Sequence, residues 1–246
     1  MANVAAAVVA DMVAIAAEVL MAVAVAAVAP AAGRVALVAG ATGLVGREVL
    51  AALLTDKRYA AVLAIGRRKL VEQHPKLVGS EVDFKRLQPL PPMDDVYIAL
   101  GTTIKAAGSR QAFRAVDFDA VVAVANAAHR AGATRLAVVS AMGANARSGI
   151  FYNRVKGEME QALAAIGFDA LVIARPSMLD GNRAALGQRT RLGERVGIAL
   201  MSALKPLILA NYRSITAIDV ARVLVGAVIE GRSGQRVILS GEMQSA

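Results

Sequence analysis

Three polar side chains near the middle of the chain have the types and spacing needed for acid–base chemistry. Tyr152 and Lys156 are four residues apart, so on a helix they share one face. An ammonium group beside a phenol lowers the phenol pKa, and such a tyrosine can exchange a proton with a carbonyl or alcohol oxygen. Ser140 ends an earlier apolar stretch and could polarise the same oxygen. Chance spacing of a tyrosine and a lysine is the alternative.

A second candidate site is the glycine motif Gly40, Gly43 and Gly46, which follows the apolar run 34–39 and precedes an apolar-periodic segment. This order predicts a strand, a turn and a helix. Gly40 would allow the tight turn, Gly43 would let the backbone approach a pyrophosphate, and Gly46 would let the helix pack closely. The N–H groups that begin the helix would face the phosphates. With 21 glycines in 246 residues the spacing alone is weak, and a plain turn is the alternative, but the flanking elements favour dinucleotide binding.

The end of the second predicted strand, 61–65, indicates which dinucleotide is bound. Proteins that bind NAD usually place an acidic residue there to hold the ribose 2′-hydroxyl. This chain has Arg67 and Arg68 instead, and two guanidinium groups suit a 2′-phosphate. The pattern therefore favours NADP over NAD, with a solvated pair of surface arginines as the alternative.

Composition limits the classes of chemistry. The 246 residues are 57% hydrophobic, enough for one large domain with a full core. The absence of cysteine excludes disulfides and thiolate chemistry and fits a reducing compartment, so a cytoplasmic location is predicted. The two histidines, His74 and His129, cannot form a typical zinc site without carboxylates, and no metal is expected.

The net charge of +9 favours anionic ligands such as phosphates, nucleotides or a membrane surface. Nucleic acid is not an expected partner, because the chain lacks a basic stripe interleaved with aromatic residues and lacks a Cys/His finger. A solvated basic surface is the alternative. The expected partner is a small-molecule substrate.

Residues 1–33 form an Ala/Val-rich extension, expected to be helical over about 4–28. Asp11 and Glu18 interrupt it, and the uncharged part 19–30 is too short to span a bilayer. The segment also lacks the positive start of a signal peptide. Three interpretations of this segment remain open. They are an extra helix packed on the body, a contact with a second copy in a homodimer, and a translated upstream region.

Apolar runs that alternate with helical patterns predict an α/β fold over 34–246, a doubly wound parallel sheet of the Rossmann type. A small C-terminal substrate cap is expected at about 177–213. The further predicted strands are 80–84, 95–100, 134–139, 169–174 and 235–239. The predicted later helices are 110–130, 152–166, 188–204 and 216–230, the last opened by a capping box.

Taken together, these residues resemble the short-chain dehydrogenase/reductase superfamily. More narrowly, they resemble its atypical NAD(P)H-binding group, which includes the human Tat-interacting tumour suppressor and bacterial relatives. The resemblance covers residue 34 to the end of the chain. The matching stretches are 40–46, 65–68, 82–84, 100–103, 139–140, 152–158 and 175–176.

The resemblance implies roles for the cofactor-binding residues. The pyrophosphate would be held by Gly40, Thr42, Gly43, Leu44 and Val45. The adenosine ribose phosphate would lie on Arg67 and Arg68, with the adenine between Asp83 and Phe84. The nicotinamide ribose would contact Leu100, Gly101, Thr102 and Lys156, and the nicotinamide would lie near Pro176 and Ser177.

The resemblance also implies that Tyr152 is the acid/base and that Ser140 orients the substrate. The asparagine that many dehydrogenases use in a proton relay has no clear counterpart, because Asn126 is expected in the middle of a helix. The predicted cap is basic, which fits an anionic or amphipathic substrate and fits a solvated helix face equally well. Its basic residues are Arg183, Arg189, Arg191, Arg195 and Lys205.

Three function classes follow from these residues. The first is an NADPH-dependent oxidoreductase acting on a carbonyl/alcohol pair. The second is a non-catalytic regulator that binds NADPH. The third, an epimerase or dehydratase of a nucleotide sugar, is disfavoured because the cap is short and the arginine pair argues against retained NAD.

Overall fold

The computed structural model describes residues 33–180, 211 and 213–244. The predicted helix in the N-terminal extension, the helix 188–204 and the basic residues of the cap lie outside these residues. Within the described ranges, no helix is both long and apolar enough to cross a membrane.

The described residues form a seven-stranded sheet in which all neighbouring strands are parallel. Its order is β3-β2-β1-β4-β5-β6-β9, which confirms the predicted doubly wound sheet. The seven strands are β1 Arg34–Ala39, β2 Tyr59–Gly66, β3 Leu77–Glu81, β4 Asp95–Ile98, β5 Arg135–Val139, β6 Ala170–Arg175 and β9 Gly234–Leu239. A separate parallel pair joins β7 Leu179–Asp180 to β8 Ile215–Thr216.

Helices cover both faces of the sheet, and this explains why the central strands are apolar along their whole length. Two hydrophobic clusters result, one on each face. The first includes buried residues of helices α1 Leu44–Thr55 and α6 Ala217–Glu230. The second includes buried residues of α4 Val121–Arg130 and α5 Phe151–Ala164.

The segment between β4 and β5 is more broken than the single predicted helix 110–130. Two short helices, α2 Ile104–Ala107 and α3 Arg110–Arg114, are followed by a wide π turn at Ala115–Ala120 that continues into α4. A π turn shifts the side chains that follow it around the helix axis, and such turns often mark functional sites.

At the functional edge, two strands end two or more residues before their predicted ends. The third strand is Leu77–Glu81 rather than 80–84, because the Asp83 carboxylate accepts a hydrogen bond from the Lys85 N–H at 3.0 Å and caps a short helical turn. The fourth strand ends at Ile98 rather than at residue 100. The predicted cap of α6 is confirmed, since the Thr216 hydroxyl accepts a hydrogen bond from the Asp219 N–H at 3.1 Å. A short helix α7, Ser240–Met243, follows β9.

The amino end of the sheet is held by a buried polar cluster. Arg34 Nε donates to the Asp95 carboxylate at 2.7 Å. The Tyr59 hydroxyl donates to the same carboxylate at 2.7 Å and lies 2.8 Å from the Tyr97 hydroxyl. Asp95 is fully buried, so these partners supply the hydrogen bonds that water would otherwise make. The cluster ties β2, β1 and β4 together at the edge opposite the glycine turn.

Close backbone contact at Gly46 yields a test of the packing between α1 and the glycine turn. A Cβ atom at residue 46 would lie 2.1 Å from the Gly40 carbonyl oxygen, so Gly46→Ala must displace the helix or the turn. We expect a loss of about 1–3 kcal/mol in the free energy of unfolding, measured by urea denaturation. Gly226→Ala in α6 is the control, because its Cβ would meet no atom within 4 Å and should stabilise the helix by about 0.5–1 kcal/mol. Equal stabilities of Gly46→Ala and wild type would contradict the close approach.

Candidate functional site

Residues predicted for the cofactor and substrate site follow five strands of the sheet. Gly40 follows β1, Arg67 follows β2, Leu100 lies just beyond β4, Ser140 follows β5, and Pro176 follows β6. Because the strands are parallel, these residues lie at one edge of the sheet, where open α/β sheets bind ligands.

The glycine turn has the geometry of an anion-binding site. Gly40 has φ +91°, which favours glycine, and a Cβ there would lie 2.8 Å from the Ala99 carbonyl oxygen. Helix α1 begins at Leu44, and Gly43 caps it without a side-chain hydrogen bond. The N–H groups in the first turn of a helix have no partner within that helix. Those of Leu44, Val45 and Gly46 could therefore bind a phosphate.

The predicted ribose-phosphate and adenine residues lie beside this turn. Arg67 and Arg68 are both exposed at the end of β2. Arg68 Nη2 donates to Thr42 Oγ1 at 3.5 Å, which brings its guanidinium to the glycine turn. Asp83 and Phe84 follow β3 at the same edge, with Asp83 exposed and Phe84 half-buried. The end of β2 thus presents positive charge next to the candidate phosphate site.

The loop after β4 is tied to the π turn. The Thr102 N–H donates to Asp117 Oδ2 at 2.9 Å, and a Cβ on Gly101 would lie 3.5 Å from Asp117 Oδ1. Leu100 packs against the second hydrophobic cluster. The backbone predicted to line the nicotinamide ribose is therefore held by a buried carboxylate.

That carboxylate also pairs with the predicted catalytic lysine. Lys156 Nζ lies 2.8 Å from Asp117 Oδ1, and the two side chains are only 4% and 1% exposed. Asp117 was not among the site residues predicted from the sequence. A signal existed: Asp117 shares the helical spacing of Ala120, Val121 and Val124, so it is a charged residue on an otherwise apolar, buried face.

The environment of Tyr152 differs from the one expected from sequence. Burial and the negative charge of Asp117 raise the pKa of Tyr152 to about 12, whereas a lowered pKa was predicted. Burial of the phenol is the larger cause, and Lys156, whose charge is paired with Asp117, does not offset it. The Tyr152 ring packs on Phe113 with centroids 5.3 Å apart. The phenol of Tyr152 is therefore protonated at neutral pH in this structure, and its role as acid/base stays a prediction.

Ser140 lies at the predicted strand edge and is held in a buried network. Its hydroxyl donates to Glu160 Oε1, which also accepts a hydrogen bond from Arg175 Nε at 3.0 Å. Glu160 in turn raises the pKa of Arg175. The proton of Ser140 is thus directed at Glu160, and its role in orienting a substrate stays a prediction. Asn126 donates to Val122 O of its own helix at 2.9 Å, so its side chain is bonded within α4.

Helix α5, which carries Tyr152 and Lys156, packs tightly against the loop that follows Ser140. A Cβ at Gly157 would lie 2.1 Å from the Ala146 backbone nitrogen. The glycine directly after Lys156 therefore fixes the distance between the helix and this loop.

Pro176 and Ser177 leave β6 at the same edge. Pro176 is buried, and the Ser177 hydroxyl donates to the Arg213 carbonyl oxygen and lies 2.9 Å from the Ser240 hydroxyl. Within the described ranges, no group of three or more histidine, aspartate and glutamate side chains could hold a metal ion.

Comparisons with known proteins agree with this geometry. A family described as NAD(P)H-binding matches residues 40–230. Protein HTATIP2 of Rattus norvegicus is 30% identical over 204 residues, covering 80% of this chain and 82% of that protein. Protein FMP52, mitochondrial, of Coccidioides immitis (strain RS) is 30% identical over 208 residues, covering 77% and 83%. The predicted resemblance to the NAD(P)H-binding group is confirmed.

A solved structure shares the fold. MoeE5 in complex with UDP-glucose and NAD superposes with a TM-score of 0.61 at 18% identity, covering 87% of this chain and 80% of that one. At this identity the likeness shows the fold alone.

The predicted cytoplasmic location is wrong by these comparisons, since the fungal relatives are named as mitochondrial proteins. The prediction rested on the absence of cysteine. That absence indicates only a reducing environment, which is not unique to the cytoplasm.

The network around Ser140 predicts a stability effect. Glu160→Gln removes the charge that pairs with Arg175 and should lower the free energy of unfolding by about 1.5–3 kcal/mol, measured by urea denaturation. Glu158→Gln on the same helix is the control, because its pair with Arg114 is 30% and 39% exposed and should contribute no more than about 1 kcal/mol. Similar losses for the two variants would show that the Glu160 network stabilises the fold no more than the exposed pair does.

Proposed function

Because the chain belongs to the NAD(P)H-binding family, we propose that it is an NADPH-dependent oxidoreductase acting on a carbonyl/alcohol pair. One observation carries the proposal. Lys156 is joined through Asp117 to the Thr102 loop at the cofactor edge, and Tyr152 lies one helical turn before Lys156. The helix that carries the candidate proton donor and the predicted nicotinamide ribose site are thus linked by two short contacts.

The choice of NADPH is supported by charge at the end of β2. Arg67 and Arg68 are exposed there, and Arg68 reaches Thr42 in the glycine turn. A 2′-phosphate carries charge that a bidentate guanidinium binds well, whereas a free ribose hydroxyl does not need two arginines. The first-turn N–H groups of α1 would hold the pyrophosphate.

The protein's part in the reaction is to hold the substrate oxygen and supply a proton. Bound NADPH would supply the hydride that adds to the carbonyl carbon. The Tyr152 hydroxyl gives its proton to the carbonyl oxygen as the C=O π bond breaks, so an alcohol and a phenolate result. The phenol of Tyr152 is protonated at neutral pH, which is the state that reduction requires, and its raised pKa makes it a weaker acid than a phenol with a pKa near neutral pH.

A second candidate, a regulator that binds NADPH without turnover, is favoured by one set of contacts. Lys156 is already paired with Asp117, and the Ser140 hydroxyl is directed at Glu160. A site whose polar groups satisfy one another has fewer free donors for a substrate. Cofactor binding is common to both candidates, and turnover separates them.

The cofactor preference is tested first. NADPH should bind more tightly than NADH, and Arg67→Ala/Arg68→Ala should weaken NADPH binding by about tenfold to a hundredfold while changing NADH binding little. Titration followed by cofactor fluorescence measures both. Arg58→Ala is the control, since Arg58 pairs with Asp56 before β2, at the opposite edge of the sheet. Equal affinities of wild type for NADH and NADPH would contradict the preference.

Turnover is tested with Tyr152→Phe, which removes only the hydroxyl. Folding and NADPH binding should persist, and the rate of NADPH oxidation over a panel of aldehydes, ketones and quinones should fall by about 10²- to 10⁴-fold. NADPH absorbance measures the rate. Turnover that persists undiminished would remove Tyr152 from the mechanism. Absence of wild-type turnover across the panel, with NADPH still bound, would support the regulator.

A further inference from the structure

We propose that Asp117 is a positioning residue for the dinucleotide: it holds the loop after β4 and the Lys156 ammonium where both can contact the nicotinamide ribose. The proposal rests on the cofactor binding that both candidate functions share. It concerns the affinity for the cofactor and needs no turnover.

The loop after β4 depends on Asp117 for its position. Before this loop, the Ala99 N–H donates to the Ala39 carbonyl oxygen at 2.9 Å, and after it Thr103 caps helix α2. Between them, residues 100–102 make one hydrogen bond within the described part of the chain, from the Thr102 N–H to Asp117 Oδ2 at 2.9 Å. Asp117 is therefore the hydrogen-bonded anchor of this loop.

The same carboxylate holds Lys156. Its Nζ lies 2.8 Å from Asp117 Oδ1, and the two side chains are 4% and 1% exposed. Because either charge alone would be buried without compensation, each fixes the position of the other. An ammonium group carries three N–H donors, so this contact leaves donors for the hydroxyls of a ribose. Asp117 as a residue is 0% exposed, so it acts through Lys156 and the loop rather than by touching a ligand.

The loop held by Asp117 borders the glycine turn. A Cβ at Gly40 would lie 2.8 Å from the Ala99 carbonyl oxygen and 3.1 Å from the Leu100 backbone nitrogen. Strand β1, which leads into this turn, lies between β2 and β4 in the sheet. A dinucleotide whose pyrophosphate binds at the start of α1 therefore extends one half toward the arginines after β2 and the other half toward the loop after β4.

The two halves of the cofactor are thus recognised by separate groups. Arg67 and Arg68 lie on the adenosine side, whereas Asp117 holds the groups on the nicotinamide side. NADPH and NADH have the same nicotinamide half. Loss of Asp117 should therefore weaken both dinucleotides alike and leave the binding of the adenosine half intact.

The test compares whole dinucleotides with a fragment in the variant Asp117→Asn, which removes the charge that holds Lys156 and keeps the shape of the side chain. NADPH and NADH are titrated by fluorescence. The fragment, adenosine 2′-phosphate 5′-diphosphate, lacks the nicotinamide riboside and is titrated by calorimetry. We expect both dinucleotides to bind about tenfold or more weakly than to wild type, and the fragment to bind within about twofold of it.

Two other variants are matched to this one. Asp119→Asn makes the same change of charge on the same π turn at an exposed position, and it should leave all three affinities unchanged. Arg67→Ala/Arg68→Ala should give the opposite pattern, with weaker binding of NADPH and of the fragment and little change for NADH.

NADPH affinity in Asp117→Asn equal to that of wild type would overturn the proposal. An equal loss for NADPH and the fragment would also overturn it, because a general loss of structure weakens both halves. If Asp117→Asn fails to fold, Asp117→Asn/Lys156→Met removes both charges and leaves neither unpaired. The same pattern is expected there, and wild-type NADPH affinity in that variant would overturn the proposal. Bound cofactor without turnover counts against the oxidoreductase alone, and the three affinities still decide this proposal.

Discussion

The buried ion pair between Lys156 and Asp117 is the contact on which the candidate site depends. It joins three elements that the chain forms separately: helix α5, the π turn before α4, and the loop after β4. Neither charge is stable alone in the interior, so each fixes the position of the other. This pairing therefore holds helix α5 beside the predicted ribose loop.

Much of the fold could be predicted from the sequence because continuous apolar runs and glycine turns are local signals. The predicted ends of β1 and β5 match the structure, and those of β2 and β6 are one residue too early. Parallel topology then brings the residues that follow these strands to one edge. The alternation of strands and helices was sufficient for the doubly wound sheet. The predicted strand that contained Asp83 was displaced because the Asp83 carboxylate accepts a hydrogen bond from the Lys85 N–H and caps a short helical turn.

The polar partners at the site could not be predicted in the same way. Periodicity shows which face of a helix is buried but not which polar side chains meet across elements. The spacing of Tyr152 and Lys156 predicted a lowered tyrosine pKa, whereas burial of the phenol and the negative charge of Asp117 raise it. Glu160 accepts a hydrogen bond from the Ser140 hydroxyl, and residue spacing likewise did not predict this contact. Electrostatic properties belong to the assembled site rather than to the motif.

The amino and carboxyl edges of the sheet carry different kinds of polar residue. At the amino edge, Arg34 and Tyr59 converge on the buried carboxylate of Asp95, so a shift in register would leave a charge without partners. At the carboxyl edge, loops and helix ends present their polar groups to a ligand. The contacts that fix the pairing of β1, β2 and β4 therefore lie at the edge opposite the candidate ligand-binding residues.

The residues that follow β6 are held beside the residues that precede α6. Strands β7 and β8 pair in parallel, and the Ser177 hydroxyl bridges the Arg213 carbonyl oxygen and Ser240. Because the two ends are held beside each other, a change in the length of the chain between them would add little chain-closure entropy. The seven-stranded sheet therefore sets no fixed length for that part of the chain.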